Sequence, residues 1–300
     1  MTEPDIAYIT NIVVEHFANV FYFDLGRYLI AAGAMTALLL VFRTYAANRR
    51  IQKRSAGGRD YIREIMSSLR TVFVFGVTTL ATVIGLELGY IQFSDGNEAW
   101  WLVGLQFAAI VLVHDAYFYW AHRAMHSKAL FRATHLHHHK SRTPTPWTAY
   151  SFSSWEAMIE AAFMPLFLLA VGLSGYAFAG FAVFLFLWHM IIRNVMAHAG
   201  HEIFPAGWVD NPLTRWISTT THHDLHHSHS HNYGFYFTFW DKWMGTEHPR
   251  YAEEFRKNAR RINWPFAGRP AEQASVLISA ILAASATLGL WAGTGALALI

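Results

Sequence analysis

The chain has 300 residues, of which 54% are hydrophobic and 14% are charged, and its mean hydropathy is +0.21. In soluble domains roughly a quarter of the residues are charged, so this chain has too few charged residues to form a surface that faces water throughout. The net charge of +3, without a continuous basic stripe, argues against a nucleic-acid partner and suits anionic lipid headgroups. The absence of cysteine excludes disulfides, thiolate zinc sites, iron–sulfur clusters and a cysteine nucleophile.

Apolar segments along the chain predict membrane helices. They are 28–42, 71–93, 99–122, 161–192 and 275–300. The fourth carries the sequence GLSG at 172–175, which predicts a hairpin of two short helices. A complete span needs about 20 apolar residues, so the first segment and the two arms of the hairpin are short. The alternative for each segment is a buried helix of a soluble core, which the low charge content disfavours.

The distribution of basic residues predicts the orientation of these segments. The connection 43–70 holds eight Arg or Lys residues, whereas 94–98, 172–176 and the first 26 residues hold none. Basic connections remain on the cytoplasmic side of a membrane. An outside N-terminus therefore places 43–70, 123–157 and 193–274 inside, with both histidine-rich tracts on the cytoplasmic side. The N-terminus lacks the basic start of a cleaved signal peptide.

These patterns predict an all-α protein. The expected architecture is a polytopic membrane helical bundle with a cytosolic, histidine-rich helical cap. The chain is therefore expected to be an integral, multi-pass membrane protein.

Histidines recur at helical intervals after the third apolar segment. His122 and His126 are four residues apart, so on a helix both rings would face a single ion. Asp115 lies two turns before His122 on the same face, where its carboxylate can accept the free N–H of a ligating ring. The spacing His-x-x-His-His then occurs twice and supplies six further candidates: His135, His138, His139, His223, His226 and His227. A disordered histidine-rich tail has no reason to repeat this interval, so the spacing predicts metal ligands.

Other histidines lie near the central hairpin. His198 and His201 follow its second arm and are also predicted as ligands. His189 lies within the apolar arm, where a hydrogen-bonded packing residue is the more usual reading. Whether His189, His201 and His222 bind a metal remains open from the sequence.

The number of imidazoles limits the choice of metal. A structural zinc ion takes four ligands, and copper and nickel sites are usually small, so eight or more histidines exceed either. Two ions, each held by four or five histidines, account for the number. Iron is the ion whose chemistry with O2 attacks the unactivated C–H bonds that lipids offer. The alternatives are a histidine-rich membrane metal transporter or storage protein, and a membrane protein that binds haem between two histidines.

Four segments together carry a family resemblance. They are YFYWAHRAMH (117–126), HLHHH (135–139), HHDLHH (222–227) and NYGFYFTFWDKWMGT (232–246). In this order they resemble the fatty acid hydroxylase and sterol desaturase superfamily of integral-membrane di-iron oxygenases, from Val113 to Thr246. By position, His122 and His126 match the first histidine box, His135, His138 and His139 the second, and His223, His226 and His227 the last. His198 matches the histidine after the central hairpin. Some fatty acyl hydroxylases have a further histidine where this chain has Asn194, and His201 is the candidate substitute.

The resemblance implies two iron ions, O2 as co-substrate, and hydroxylation or desaturation of a membrane lipid such as a sterol-like lipid or a fatty acyl chain. Asp241 is then either a carboxylate that orients a box histidine or a turn residue. The expected division is 1–98 for N-terminal membrane helices and the basic loop, 99–250 for the histidine-box catalytic domain, and 251–300 for a tail with a final membrane helix.

Redox partners follow from what the sequence lacks. It has no Gly-rich flavin or nicotinamide fingerprint, no cysteine for an iron–sulfur cluster and no recognisable haem domain. A separate electron donor is therefore expected, which is a reductase, a ferredoxin or a cytochrome. The substrate, the choice between hydroxylation and desaturation, and the oligomeric state are not predicted.

Overall fold

The fold is all-helical. The structure, a computed structural model, describes the backbone of residues 6–259 and the side chains of residues 13–259. Over this range the helices are α1 (Ile6–Val41), α2 (Arg43–Asn48), α3 (Gly58–Glu87), α4 (Trp100–Met125), α5 (Phe131–Thr134), α6 (Ser154–Leu173), α7 (Gly180–Ala197), α8 (Thr220–Ser228), α9 (Phe239–Trp243) and α10 (Tyr251–Ala259). Two 3-10 turns, His138–Lys140 and Pro146–Tyr150, lie between α5 and α6. The predicted all-α class is confirmed.

Membrane-length helices form the bulk of this fold. Residues Val13–Val41 of α1 and the whole of α3, α4, α6 and α7 are long and apolar enough to cross a membrane. This agrees with the predicted polytopic helical bundle. The predicted final segment, 275–300, lies outside the described residues.

The first two membrane helices begin earlier than the apolar segments indicate. The charge of Arg27 set the predicted start of the first segment at 28, but Arg27 forms a buried ion pair with Asp24 within α1. Arg27 also donates to the backbone oxygen of Leu187 in α7. Likewise, α3 begins at Gly58 and includes Asp60 and Arg63, which pair at 2.8 Å. Pairing offsets part of the penalty that an isolated charge would impose, and both helices continue through these charged residues.

The predicted hairpin is present as α6 and α7. Its turn requires glycine at two positions, for a different reason at each. A Cβ at Gly172 would lie 1.9 Å from the backbone oxygen of Tyr90, and Gly175 has a φ of +78°. The first arm starts at Ser154 rather than at 161, because the hydroxyl of Ser153 caps the helix by accepting from the backbone N–H of Glu156. Glu156 and Glu160 therefore belong to α6.

Helix packing brings the histidine-bearing ends together. α4 packs against α7, and α3 packs against α1 and α6. The N-terminal parts of α4 and α7 meet where Gln106 contacts Tyr176 and Ala179. Their C-terminal ends carry His122 and His198. Both histidine-rich tracts consequently meet at one end of the bundle.

Candidate metal centre

Eight histidines form two compact groups. We call His122, His126, His135 and His226 the outer group, and His138, His198, His223 and His227 the inner group. Within each group every residue offers one ligand atom within 4.8 Å of the others. All rings are buried except that of His126, which is half-buried.

The rings of both groups face one another through Nε2. In the outer group, Nε2 of His122 lies 2.9 Å from Nε2 of His135, and Nε2 of His126 lies 3.2 Å from Nε2 of His226. In the inner group, Nε2 of His198 lies 3.2 Å from Nε2 of His138 and 2.9 Å from Nε2 of His223. Converging nitrogens of this kind are the arrangement that a metal ion requires.

The opposite nitrogen of several rings is held by the protein. Nδ1 bonds to the carbonyl of Tyr233 in His122 (2.9 Å), to Oε1 of Glu156 in His135 (2.7 Å), to the carbonyl of His231 in His226 (2.8 Å) and to the carbonyl of Asn194 in His198 (2.8 Å). These acceptors require the proton on Nδ1, which leaves the Nε2 lone pair free for a metal.

Burial also sets the charge state of the rings. Desolvation lowers the pKa of His126 to about 2, and that of His198 to about 4. It moves the pKa of the buried His135, His138, His223, His226 and His227 well below the usual range, with neighbouring imidazoles adding to the effect. The rings are therefore neutral at pH 7, which is the form that binds a metal.

Local structure explains how one sequence pattern serves two groups. On α8, His223 and His227 are one turn apart and join the inner group, whereas His226 points to the outer group. After α5 the chain tightens into a 3-10 turn, which separates His135 in the outer group from His138 in the inner group.

His139 lies between the two groups. Its Nε2 is 3.0 Å from Nε2 of His226, and its ring centroid is 4.9 Å from that of His126 and 5.0 Å from that of His227. Burial lowers its pKa to about 4. It is placed to supply a fifth nitrogen to the outer group.

The donor atoms fit metal ions. Both ring nitrogens of His227 are buried without a hydrogen-bond partner among the described residues. An unpartnered buried polar atom destabilises a fold by about 1–3 kcal/mol, so such atoms need a ligand. Nitrogen-only shells suit iron, zinc and copper, and the residues present fit two such ions.

A sequence comparison relates part of the chain to a known family. The profile of the family described as "Fatty acid hydroxylase" matches residues 107–246, the region that contains both histidine groups. Over this stretch, which is just under half of the chain, the sequence is similar to that family. Its histidine boxes are the segments that build the outer and inner groups, together with His198 at the end of α7.

Curated proteins that are similar to this chain carry sterol-related names. A Delta(7)-sterol 5(6)-desaturase of Gibberella zeae is 25% identical over 67% of this chain and 61% of the relative. A Delta(7)-sterol 5(6)-desaturase of Aspergillus fumigatus is 26% identical over 81% and 68%. The lathosterol oxidase of Rattus norvegicus is 25% identical over 62% and 61%. This chain thus spans about half to two thirds of the length of the curated relatives it matches. No solved structure matches the chain.

One carboxylate differs from its predicted role, and another takes that role instead. Asp115 does not accept the N–H of His122, because that proton goes to the carbonyl of Tyr233. Asp115 instead accepts the backbone N–H of Tyr236 at 2.7 Å. The segment 232–246 lies between Asp115 and the histidine rings. Asp115 and His122 therefore share a face of α4 without contacting each other. Glu156, which no motif indicated, is the carboxylate that binds a histidine of the outer group.

Asp241 acts on the outer group through the backbone. Its carboxylate accepts the N–H of Tyr233 and of Gly234, each at 2.8 Å, and the hydroxyl of Thr246 at 2.7 Å. The carbonyl of Tyr233 in turn holds His122. Asp241 therefore stabilises the segment that orients a box histidine, without touching that ring.

The remaining candidate histidines lie outside both groups. His201 bonds through Nδ1 to the carbonyl of Ala199, and its backbone pairs with Arg50. His222 is fully buried, with Nε2 3.4 Å from Asp241. His189 lies in α7 and contacts Tyr236 and Phe107. None of the three has a ligand atom among the convergent nitrogens.

Proposed function

We propose that this protein is a membrane di-iron oxygenase that hydroxylates or desaturates an unactivated C–H bond of a membrane lipid. The observation that carries the proposal is the pair of four-histidine groups at one end of an apolar helical bundle. An oxygenase active on lipids needs this combination, because its substrate arrives from the bilayer while its metal ions need polar ligands.

The two groups would hold one iron ion each, with His139 available to the outer group. Iron bound there supplies the activation of O2 that attack on an unactivated C–H bond requires. The chain's own part is to position the rings through Tyr233, Glu156, His231 and Asn194. Buried aromatic side chains beside the centre exclude water, which protects the oxidation from side reactions.

The substrate class rests on the relatives and on the aromatic core. The relatives are named for sterols, and we extend this to a sterol-like lipid or another lipid with a long apolar skeleton. Phe163 of α6, Phe186 of α7 and Phe235 are buried in one hydrophobic cluster, and the ring of Phe118 contacts both Phe235 and His122. An apolar environment of this kind beside the centre suits an apolar molecule.

Electron balance requires a separate donor. Hydroxylation places one oxygen atom in the lipid and reduces the other to water, and desaturation reduces both oxygen atoms to water. Either reaction takes two electrons and two protons from outside the lipid. We infer that a reductase, ferredoxin or cytochrome supplies them on the cytoplasmic side, where the basic connection 43–70 is expected to lie.

Lipid profiling of cells with and without the protein tests this function. We expect one lipid species to gain one oxygen atom or to lose two hydrogen atoms, with dependence on O2 and on an added reductase. Purified protein should carry two iron ions that survive dialysis. Exchangeable zinc without any lipid change would favour a metal transporter, and a haem absorption band would favour a haem protein. Either result would contradict the proposal.

A further inference from the structure

Two polar residues of the membrane helices meet away from the metal groups. His114 lies in α4 and His189 in α7, and both contact Tyr236, which follows α8 in the sequence. The ring centroid of Tyr236 is 5.4 Å from that of His114 and 4.7 Å from that of His189. We call these three residues the polar triad. Polar side chains inside a membrane bundle are costly and typically mark functional sites.

Each member of the polar triad has a buried polar atom without a partner. These atoms are Nδ1 of His114, Nε2 of His189 and the hydroxyl oxygen of Tyr236. No hydrogen-bonding group among residues 13–259 reaches them. His114 is 2% exposed and Tyr236 is 1% exposed, so bulk solvent does not reach them either. Three unsatisfied polar atoms in contiguous rings need hydrogen-bond partners from outside the described chain, which an ordered water or a ligand oxygen can supply.

The surroundings restrict the chemistry of that ligand. The ring of His114 packs edge-on against two phenylalanines. Its centroid is 4.7 Å from that of Phe163 and 5.1 Å from that of Phe186. Arg193 donates to the carbonyl of Tyr236 at 3.5 Å, and Asp115 accepts the N–H of Tyr236 at 2.7 Å, so these two opposite charges already engage its backbone. A charged ligand group beside the His114 ring would lose its hydration among the phenylalanines without an equivalent return. A hydroxyl or carbonyl oxygen carries no charge and can bond to an imidazole or a phenol. The rest of the ligand must be apolar to contact the phenylalanines.

The polar triad has a fixed position relative to the metal centre. His114, Phe118 and His122 occupy successive turns of one face of α4, so His114 and His122 are separated by about 12 Å along the helix. The ring centroid of Phe118 is 6.2 Å from that of His114 and 4.9 Å from that of His122. An apolar side chain therefore lies between the polar triad and the outer group.

We propose that the polar triad binds an uncharged hydroxyl or carbonyl oxygen of the lipid substrate. This inference rests on the proposed function, because it names the feature by which the substrate is recognised. The bound oxygen fixes one end of the lipid, and the oxidised C–H bond then lies about two helical turns away, beside His122. The protein selects among lipids by the separation between an oxygen atom and the reacting carbon.

Lipid binding to the full-length, metal-loaded protein, measured without any reductant, tests the polar triad without turnover. The probes are two matched pairs: a saturated 3β-hydroxysterol with its deoxy hydrocarbon, and a long-chain alcohol with the corresponding alkane. We expect the wild-type protein to bind the hydroxyl-bearing member of at least one pair more tightly. The substitution Tyr236→Phe removes only the hydroxyl and should reduce this preference roughly 3- to 10-fold, as expected for loss of one neutral hydrogen bond.

The matched control is Tyr117→Phe. The hydroxyl of Tyr117, also in α4, bonds to the carbonyl of Ile159 and is not part of the polar triad. This control should leave the preference unchanged. If Tyr236→Phe fails to fold, judged by circular dichroism, His189→Phe replaces it with the same expectation. Equal binding within both pairs, or an unchanged preference in the variants, would overturn the inference.

The outcomes separate this inference from the proposed function. A protein that oxidises a lipid but shows no hydroxyl preference contradicts only the role of the polar triad. A protein that prefers the hydroxyl probes through Tyr236 but oxidises no lipid contradicts only the oxygenase proposal.

Discussion

The outer and inner groups differ in how the protein holds their rings. In the outer group, His122, His135 and His226 are bonded through Nδ1 to Tyr233, to the carboxylate of Glu156 and to His231. In the inner group, His198 bonds to a carbonyl at 2.8 Å and His138 to that of Ser151 at 3.4 Å. His227 has no partner for either nitrogen among the described residues.

The two groups therefore differ in whether the protein or a bound metal ion positions their rings. Anchors from α6 and from the segment 229–234 fix the outer rings before any ion binds. The inner rings depend more on each other and on a bound ion for their placement. The half-buried His126 also gives the outer group an edge near the surface, which the inner group lacks.

The largest effect is expected from His227→Ala. This change removes a ring of the inner group whose position no hydrogen bond maintains, so we expect the inner ion to be lost. Activity should fall more than ~100-fold, beyond the 10- to 100-fold typical of losing an indirect metal contact. Iron analysis of the purified protein should show a fall from two ions toward one. Retention of both ions and of activity would contradict the assignment of His227.

A smaller and more selective effect is expected from Glu156→Gln. The amide still accepts a hydrogen bond from His135 but carries no charge, so the imidazole becomes a weaker donor to the metal. We expect the affinity of the outer group for iron to fall about 10-fold, with the inner group unchanged. Chelator competition, followed by iron analysis, measures the two affinities.

Glu160→Gln is the matched control for that variant. Glu160 lies one turn further along α6, and no hydrogen bond links it to a histidine of either group. If Glu156→Gln lowered the iron affinity of both groups equally, the two groups would not differ in the way described above.

Asp241→Asn should lower the stability of the protein more than it lowers its affinity for metal. Burial opposes ionisation of Asp241, but the His222 ring at 3.4 Å and hydrogen bonds from Thr246 and Gly234 outweigh it and hold the pKa of this carboxyl below its usual value. The stabilisation is therefore present at neutral pH and is lost as the pH falls through that lowered pKa. At pH 7 we expect the variant to lose about 1–3 kcal/mol of unfolding free energy.

Unfolding measured at several pH values tests this. The difference between wild type and Asp241→Asn should shrink as the solution becomes acidic. Asp95→Asn, at an exposed loop position, should change stability by less than about 0.5 kcal/mol. A pH-independent difference would mean that the charge of Asp241 contributes nothing.

The spacing of the histidines in the sequence indicated which of them come together. Helical intervals determine which rings share a face, and this information is local, as His122 and His126 illustrate. The division between outer and inner groups is not local, because it depends on the 3-10 turn that rotates His138 away from His135. Nothing in the sequence signals that turn.

The supporting carboxylates were harder to predict for a related reason. Glu156 reaches His135 across 21 residues of sequence, from a helix whose start depends on the Ser153 cap. Asp115 lies on the expected helix face, but a loop from far along the chain occupies the space in front of it. The starts of α1 and α3 were misjudged because charges that pair in three dimensions look unpaired in a sequence.

The smallest effect is expected from His201→Ala, which defines the boundary of the inner group. His201 follows His198 by three residues, yet its ring bonds to Ala199 and its backbone pairs with Arg50. We expect the variant to retain both ions, with stability within about 0.5 kcal/mol of the wild type. Iron content and lipid oxidation, measured beside His227→Ala, provide the comparison. If His201→Ala also lost an ion, the inner group would include a fifth histidine and its dependence on the metal would need another explanation.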